Sequence, residues 1–170
     1  LNAGAHGYNT AVGYYSGAAM TTGTNNTIIG GLAGDAITTG STNTLIGVSA
    51  GRGLTTGGLN VAIGGYALDA ENEQGRNVAV GYQALTDLDA SQDAYNTALG
   101  YRAGIDVSTG IKNTIVGGFA GDALTTGTNN IIIGYSAEAA AVDSSNSVTF
   151  GDVNISAIRC QVQTISALSD

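Results

Sequence analysis

Asn26-Thr-Ile-Ile-Gly30 returns 17 residues later as Asn43-Thr-Leu-Ile-Gly47, and that recurrence decides how the chain is read. The pattern, Asn, then Thr or Val, two apolar residues and Gly, extends in both directions. It precedes the pair at Asn9-Thr-Ala-Val-Gly13. It follows at Asn60-Val-Ala-Ile-Gly64, Asn77-Val-Ala-Val-Gly81, Asn96-Thr-Ala-Leu-Gly100, Asn113-Thr-Ile-Val-Gly117 and Asn130-Ile-Ile-Ile-Gly134. Ser147-Val-Thr-Phe-Gly151 is a degenerate last copy. The closing glycines are 17 residues apart, except for a step of 19 between Gly81 and Gly100. A fixed period of this kind is the signature of a solenoid, in which each unit buries its apolar face against the next.

Each unit divides further. The Asn-to-Gly segment is rich in β-branched residues and reads as a strand. A second short segment follows, as in Tyr14-Tyr-Ser-Gly17 and Gly118-Phe-Ala-Gly121, and is expected to form the other side of a flattened two-strand coil. Thr21-Thr-Gly-Thr-Asn25, Thr38-Thr-Gly-Ser-Thr42 and Thr125-Thr-Gly-Thr-Asn129 read as the closing turns, with glycine expected to supply positive φ. Repeated glycines disfavour helix. The expected fold is all-β: a parallel β-solenoid of 17-residue coils over residues 1–151, with a neck over residues 152–170.

Composition agrees. Of 170 residues, 27 are Gly, none is Pro or Trp, and 11% are charged, so small side chains at tight corners replace bulk. The regular Ile, Val and Leu separate the chain from disordered Gly-rich sequence. A net charge of −8 and the scatter of Arg52, Arg76, Arg102, Lys112 and Arg159 argue against nucleic acid as a partner. No apolar run reaches the length of a membrane span, so no membrane insertion is expected.

Neighbouring side chains of a strand point to opposite faces. Ile28 and Ile29 therefore diverge, as do Leu45 and Ile46, Ile115 and Val116, and Ile131 and Ile132. One of each pair fills the coil; the other forms an apolar stripe outside. Strands apolar on both faces are normally buried on both. Identical chains are the expected cover.

The Asn-Thr/Val-Ala-Ile/Val-Gly-Tyr-x-Ala-Gly pattern resembles the head repeats of trimeric autotransporter adhesins. With its Thr-Thr-Gly-x-x-Asn turns it looks still more like the repeat regions of phage tail-fibre proteins. The resemblance spans residues 8–151 and implies a left-handed parallel β-roll, three chains about one axis, although the period here exceeds the typical adhesin repeat. The C-terminal stretch Asn154–Asp170 is similar to the run leading into an endosialidase-type intramolecular chaperone of phage fibres. Ser169-Asp170 matches the start of its Ser-Asp-x-Arg-x-Lys motif. The sequence stops before the Arg and Lys, so no self-cleavage is expected of it. Ile155, Ile158, Val162, Ile165 and Leu168 would form a short trimeric neck, as a coiled coil or an intertwined β-stalk, with β-branched content favouring the stalk.

No enzyme is indicated. His6 and Cys160 are the single residues of their types, and no catalytic triad assembles without His6 near the chain end. No cofactor or metal is implied. The Gly-Asp pairs Gly34-Asp35 and Gly121-Asp122 lack the nonapeptide spacing of calcium-binding solenoids. The column Asn9, Asn26, Asn43, Asn60, Asn77, Asn96, Asn113 and Asn130 reads as a structural amide ladder. Tyr14, Tyr82, Tyr101 and Tyr135 share one coil position and are expected to be partly buried between coils, with sugar stacking as the alternative.

The functional candidate is the irregular middle. The insertion and the loss of the Thr-Thr-Gly turn bring Asp69, Glu71, Glu73, Asp87, Asp89, Asp93 and Asp106 into neighbouring coils, expected on one edge. Long loops on a regular scaffold commonly carry function, here a receptor or cation contact. The expected role is a structural and host-attachment module of a virion tail fibre, a rigid trimer presenting a surface to a host receptor, possibly a glycan. The alternatives are a trimeric adhesin head on a bacterial surface, a Thr-array ice-binding solenoid through Thr21-Thr22, Thr38-Thr39, Thr55-Thr56 and Thr125-Thr126, and a glycan-cleaving spike.

Overall fold

The computed structural model describes residues 7–70, 73 and 75–157. Within them the chain is all-β: nine three-residue strands, β1 Thr10–Val12, β2 Thr27–Ile29, β3 Thr44–Ile46, β4 Val61–Ile63, β5 Val78–Val80, β6 Thr97–Leu99, β7 Thr114–Val116, β8 Ile131–Ile133 and β9 Val148–Phe150. They form one parallel sheet in chain order. The register is unbroken, so Thr27, Ile28 and Ile29 face Thr44, Leu45 and Ile46, and each column continues through the stack. The 19-residue step leaves it intact, Val78 pairing with Thr97; the two extra residues are absorbed outside the strand. The result is a parallel β-solenoid of about eight turns. Coils are numbered here by their strands.

The second segment is not a strand, so the expected two-strand coil becomes a coil with one strand and a run of turns. The cause is its backbone: alternate residues adopt positive φ, as at Tyr15 (54°) and Gly17 (59°), or Phe119 (55°) and Gly121 (56°). The N–H groups divide accordingly. Ala33 donates within its own coil to Gly30 O at 3.3 Å, whereas Gly34 donates to Ala50 O of the next coil at 3.0 Å.

The closing turns hold a second correction. Gly23, Gly40 and Gly127 do not have positive φ; the residue just before each ladder Asn does, as at Asn25 (59°), Thr42 (61°) and Asn129 (59°). Close approach explains these glycines. A Cβ on Gly23 would stand 2.3 Å from Gly40 O, and one on Gly40 2.5 Å from Gly57 O. The strand-closing glycines meet both demands: Gly47 has φ +136° and its Cβ would lie 2.6 Å from Gly64 C.

The core is a narrow column. The middle strand residues Ile28, Leu45, Ala62, Ala79, Ala98, Ile115 and Ile132 are fully enclosed. Across from them lie an alanine column (Ala33, Ala50, Ala67, Ala84, Ala103, Ala120, Ala137) and a corner column (Met20, Ile37, Leu54, Leu88, Val107, Leu124). Coils four and five redistribute bulk: Ala62 and Ala79 replace the large strand residue, and Leu68 and Leu85 occupy the place of Gly34 and Gly51. Both leucines are fully buried at positive φ, 56° and 51°.

Candidate functional site

The asparagine column is internal. Asn26, Asn43, Asn60, Asn77, Asn96, Asn113 and Asn130 are all buried. Each side-chain oxygen accepts the backbone N–H of the ladder residue in the next coil. Asn43 N–H reaches Asn26 Oδ1 at 2.9 Å and Asn60 N–H reaches Asn43 Oδ1 at 2.9 Å. The run begins at Asn9, which takes Asn26 N–H at 2.8 Å, and ends at Ser147 N–H on Asn130 Oδ1 at 3.1 Å. The amide nitrogens donate to turn carbonyls of the following coil, Asn26 to Gly40 O and Asn43 to Gly57 O, both at 2.9 Å. Asn77 departs from this, donating to Gly75 O in its own loop at 3.2 Å. Its forward partner would lie in the lengthened coil. With donors and acceptor directed inward, the column holds coils together and offers nothing to a ligand.

The threonine turns are also partly committed. Thr21 Oγ1 donates to Thr38 O at 3.0 Å, Thr38 Oγ1 to Thr55 O at 3.2 Å, and Thr125 Oγ1 to Val142 O at 3.0 Å. Thr22, Thr39, Thr56 and Thr126 are the exposed members of their pairs.

An aromatic ladder runs along the outside. Tyr82 and Tyr101 stack at 5.5 Å between ring centroids, 15° from parallel. Tyr66, Phe119 and Tyr135 extend the line edge-to-face at 5.2–6.0 Å. Where the Tyr position is Gly, the next residue supplies the ring: Gly65 is followed by Tyr66, Gly118 by Phe119. Sequence reading by single columns misses this alternation, although it is visible as Gly-Tyr against Gly-Gly-Tyr and Gly-Gly-Phe. The tyrosines stay more exposed than expected, Tyr82 at 44% and Tyr135 at 68%. Along the ladder the rings pack against one another, which leaves little open face for sugar stacking.

The acidic residues are distributed rather than pooled. Asp93 is engaged by Arg76, whose Nε lies 2.6 Å from Asp93 Oδ2. Arg76 also sits over the Tyr95 ring, 5.6 Å from its centroid. Asp69 stands with Asp35 and Arg52 around a cavity of about 340 Å³ that Ala36, Gly53 and Thr55 complete. Burial pushes the Asp69 carboxyl above the usual range, against the pull of Arg52 and with a push from Asp35. Its Oδ1 is enclosed without a hydrogen-bond partner. Glu73, Asp87, Asp89 and Asp106 are exposed. Glu71 lies outside the described residues, as do His6, Ile158, Arg159, Cys160, Val162, Ile165 and Leu168. Among the described residues, no group of three or more His, Cys, Asp or Glu is placed to hold a metal ion. No described helix is long and apolar enough to cross a membrane.

The outward strand face is the largest coherent surface. The third strand residues, Val12, Ile29, Ile46, Ile63, Val80, Leu99, Val116, Ile133 and Phe150, form one column along the sheet. Ile29 is 38% exposed, Leu99 48% and Phe150 53%. Val61, Val78, Ile131 and Val148 add apolar surface in the first-residue column. Comparison with protein-family models, with curated proteins and with solved structures returns no match.

Proposed function

We propose that this chain is a structural and host-attachment module of a viral tail fibre, working as a rigid rod of three identical chains. The observation that carries the reading is the continuous outward column of Ile, Val, Leu and Phe on an otherwise polar, acidic solenoid. Apolar stripes of this length are rarely left to water on a soluble chain and mark contact surfaces. A surface generated by a translational repeat fits another copy of the same repeat, because every coil offers the same step. Three chains about one axis give each stripe equivalent cover, and the resemblance to fibre repeats supplies the number.

A rod needs stiffness along its axis, and the fold provides it. Strand pairing, the amide column and the Thr staples all run from coil to coil, so bending strains many bonds together. The exposed carboxylates Asp87, Asp89 and Asp106, in and beside the lengthened coil, are the candidate receptor contact. Saturable binding of fluorescently labelled chain to a panel of bacterial strains tests the role. Binding to a susceptible strain that falls at least several-fold in D87N/D89N/D106N supports it. Binding unchanged in that variant would move the receptor contact elsewhere on the rod.

A further inference from the structure

We propose that Glu138 and Asp122 form a proton-dependent clasp that keeps the last coils closed in mildly acidic solution and loosens them in mildly alkaline solution. The inference rests on the fold alone and stands whether or not the chain belongs to a fibre.

The position is exceptional within the repeat. In earlier coils the residue six after the closing glycine donates its N–H to a backbone carbonyl of the next coil. Ala19 reaches Asp35 O at 3.0 Å, Gly53 reaches Asp69 O at 2.8 Å, Ala70 reaches Thr86 O at 3.0 Å and Asp87 reaches Ile105 O at 3.2 Å. In coil seven this residue is Ala123, and its partner is a side chain. Glu138 Oε2 accepts Ala123 N–H at 3.4 Å and Oε1 accepts Asp122 N–H at 3.0 Å. Regular coil-to-coil bonding resumes only at Thr125, whose N–H meets Val142 O at 2.7 Å. Glu138 occupies the column held by Gly17, Gly34, Gly51, Leu68, Leu85, Gly104 and Gly121 in the other coils. Its carboxyl replaces a backbone carbonyl where coil eight leaves the common path.

The same carboxyl is hydrogen-bonded to that of Asp122. Two carboxyls in one hydrogen bond require a proton between them, and ionising both sets like charges together in a half-buried corner. Burial first, then the bond to Asp122 and its charge, push Glu138 up to about 7. The N–H groups of Asp122 and Ala123 pull the other way and are outweighed. Asp122 is the charged neighbour acting on Glu138; Asp106 one coil earlier, and Asp143 and Asp152 further along the chain, do not act on it, nor does any basic side chain among the described residues. The folded-state value lies above the unfolded one. The clasp's contribution is therefore fully present below the ordinary glutamate range and is lost as pH rises through 7.

Amide hydrogen exchange of the chain, corrected for intrinsic rates and followed from pH 5 to 9, tests the clasp. Protection at Asp122, Ala123 and Thr125 is expected to fall several-fold between pH 6 and pH 8.5. The fall is bounded at about tenfold by one carboxyl titrating near 7 instead of its ordinary value. Coils two and three provide the internal reference and stay unchanged. Glu138→Gln keeps the acceptor oxygen without the charge and is expected to flatten the profile. Asp122→Asn, which removes the neighbouring charge, moves the midpoint to lower pH. A flat wild-type profile, or a pH dependence that E138Q and D122N both retain, would overturn the proposal.

Discussion

Gly51 and Leu45 exclude one another's bulk: a Cβ on Gly51 would lie 2.7 Å from Leu45 Cδ2 and 2.9 Å from Leu54 Cδ1. One coil on, the arrangement is inverted. Ala62 pairs in register with Leu45, and Leu68 stands where Gly51 stood. The column is filled from the strand side in coil three and from the turn side in coil four. The exchange has a backbone cost, because Leu68 is held in the left-handed region at about 1–3 kcal/mol. Leu68→Gly is therefore expected to destabilise by less than the roughly 2–5 kcal/mol of an ordinary buried leucine truncation. Ala62→Leu alone overpacks, at about 1–3 kcal/mol. The double variant A62L/L68G rebuilds the pattern of coil three, so denaturant melts should show strong favourable coupling. Simple additivity would mean that the two positions do not share one volume.

Asn60 is both acceptor for one coil and part of the buried column that supports the next. Asn60→Ala leaves the Asn77 N–H, now bonded to Asn60 Oδ1 at 2.9 Å, without its partner in a dry interior. A loss of about 1–3 kcal/mol is expected from that orphaned donor. Asn60→Asp keeps the acceptor but buries a charge, and should be worse at pH 7 than at pH 4. Equal stability of N60A and wild type would deny the column its structural role.

Two glycines in successive positions should behave oppositely. Gly47→Ala forces a Cβ to within 2.6 Å of Gly64 backbone at φ +136°, and is expected to prevent folding or shift the melt drastically downward. Gly31→Ala meets nothing within 4 Å at ordinary φ. Its melting temperature should stay near wild type or rise slightly, since alanine restricts the unfolded chain.

The outward column can be tested without touching the core. Ile46→Lys and Ile63→Lys place charges on a face whose inward neighbours, Leu45 and Ala62, are fully buried and remain so. Circular dichroism should keep the β signature of wild type. The mass in solution should fall toward that of one chain, because charge placed inside an apolar contact is expensive.

Sequence made the fold legible because period, strand and ladder all depend on identities that repeat. Asn26 and Asn43 mark one position each time, and Ile28 and Ile29 divide by alternation alone. The single strand per coil was hidden because Tyr15, Ser49 and Phe119 adopt positive φ without a glycine to announce it. The turn glycines were misassigned for the converse reason: Gly23 and Gly40 answer to a neighbouring coil, which a local reading does not include. The acidic set shows a similar limit. Asp93 looked like one of a group, yet its place beside Arg76 follows from stacking across 17 residues. Glu138 drew no notice because its role comes from a missing backbone bond.

The central claim is that the outward apolar column is covered by identical chains. Light scattering of the folded chain, with a parallel sample run unboiled in detergent, measures this most directly. The account predicts a mass of three chains of 16.8 kDa, about 50 kDa, that persists in detergent and dissociates on boiling. A single-chain mass with an intact β spectrum would contradict it.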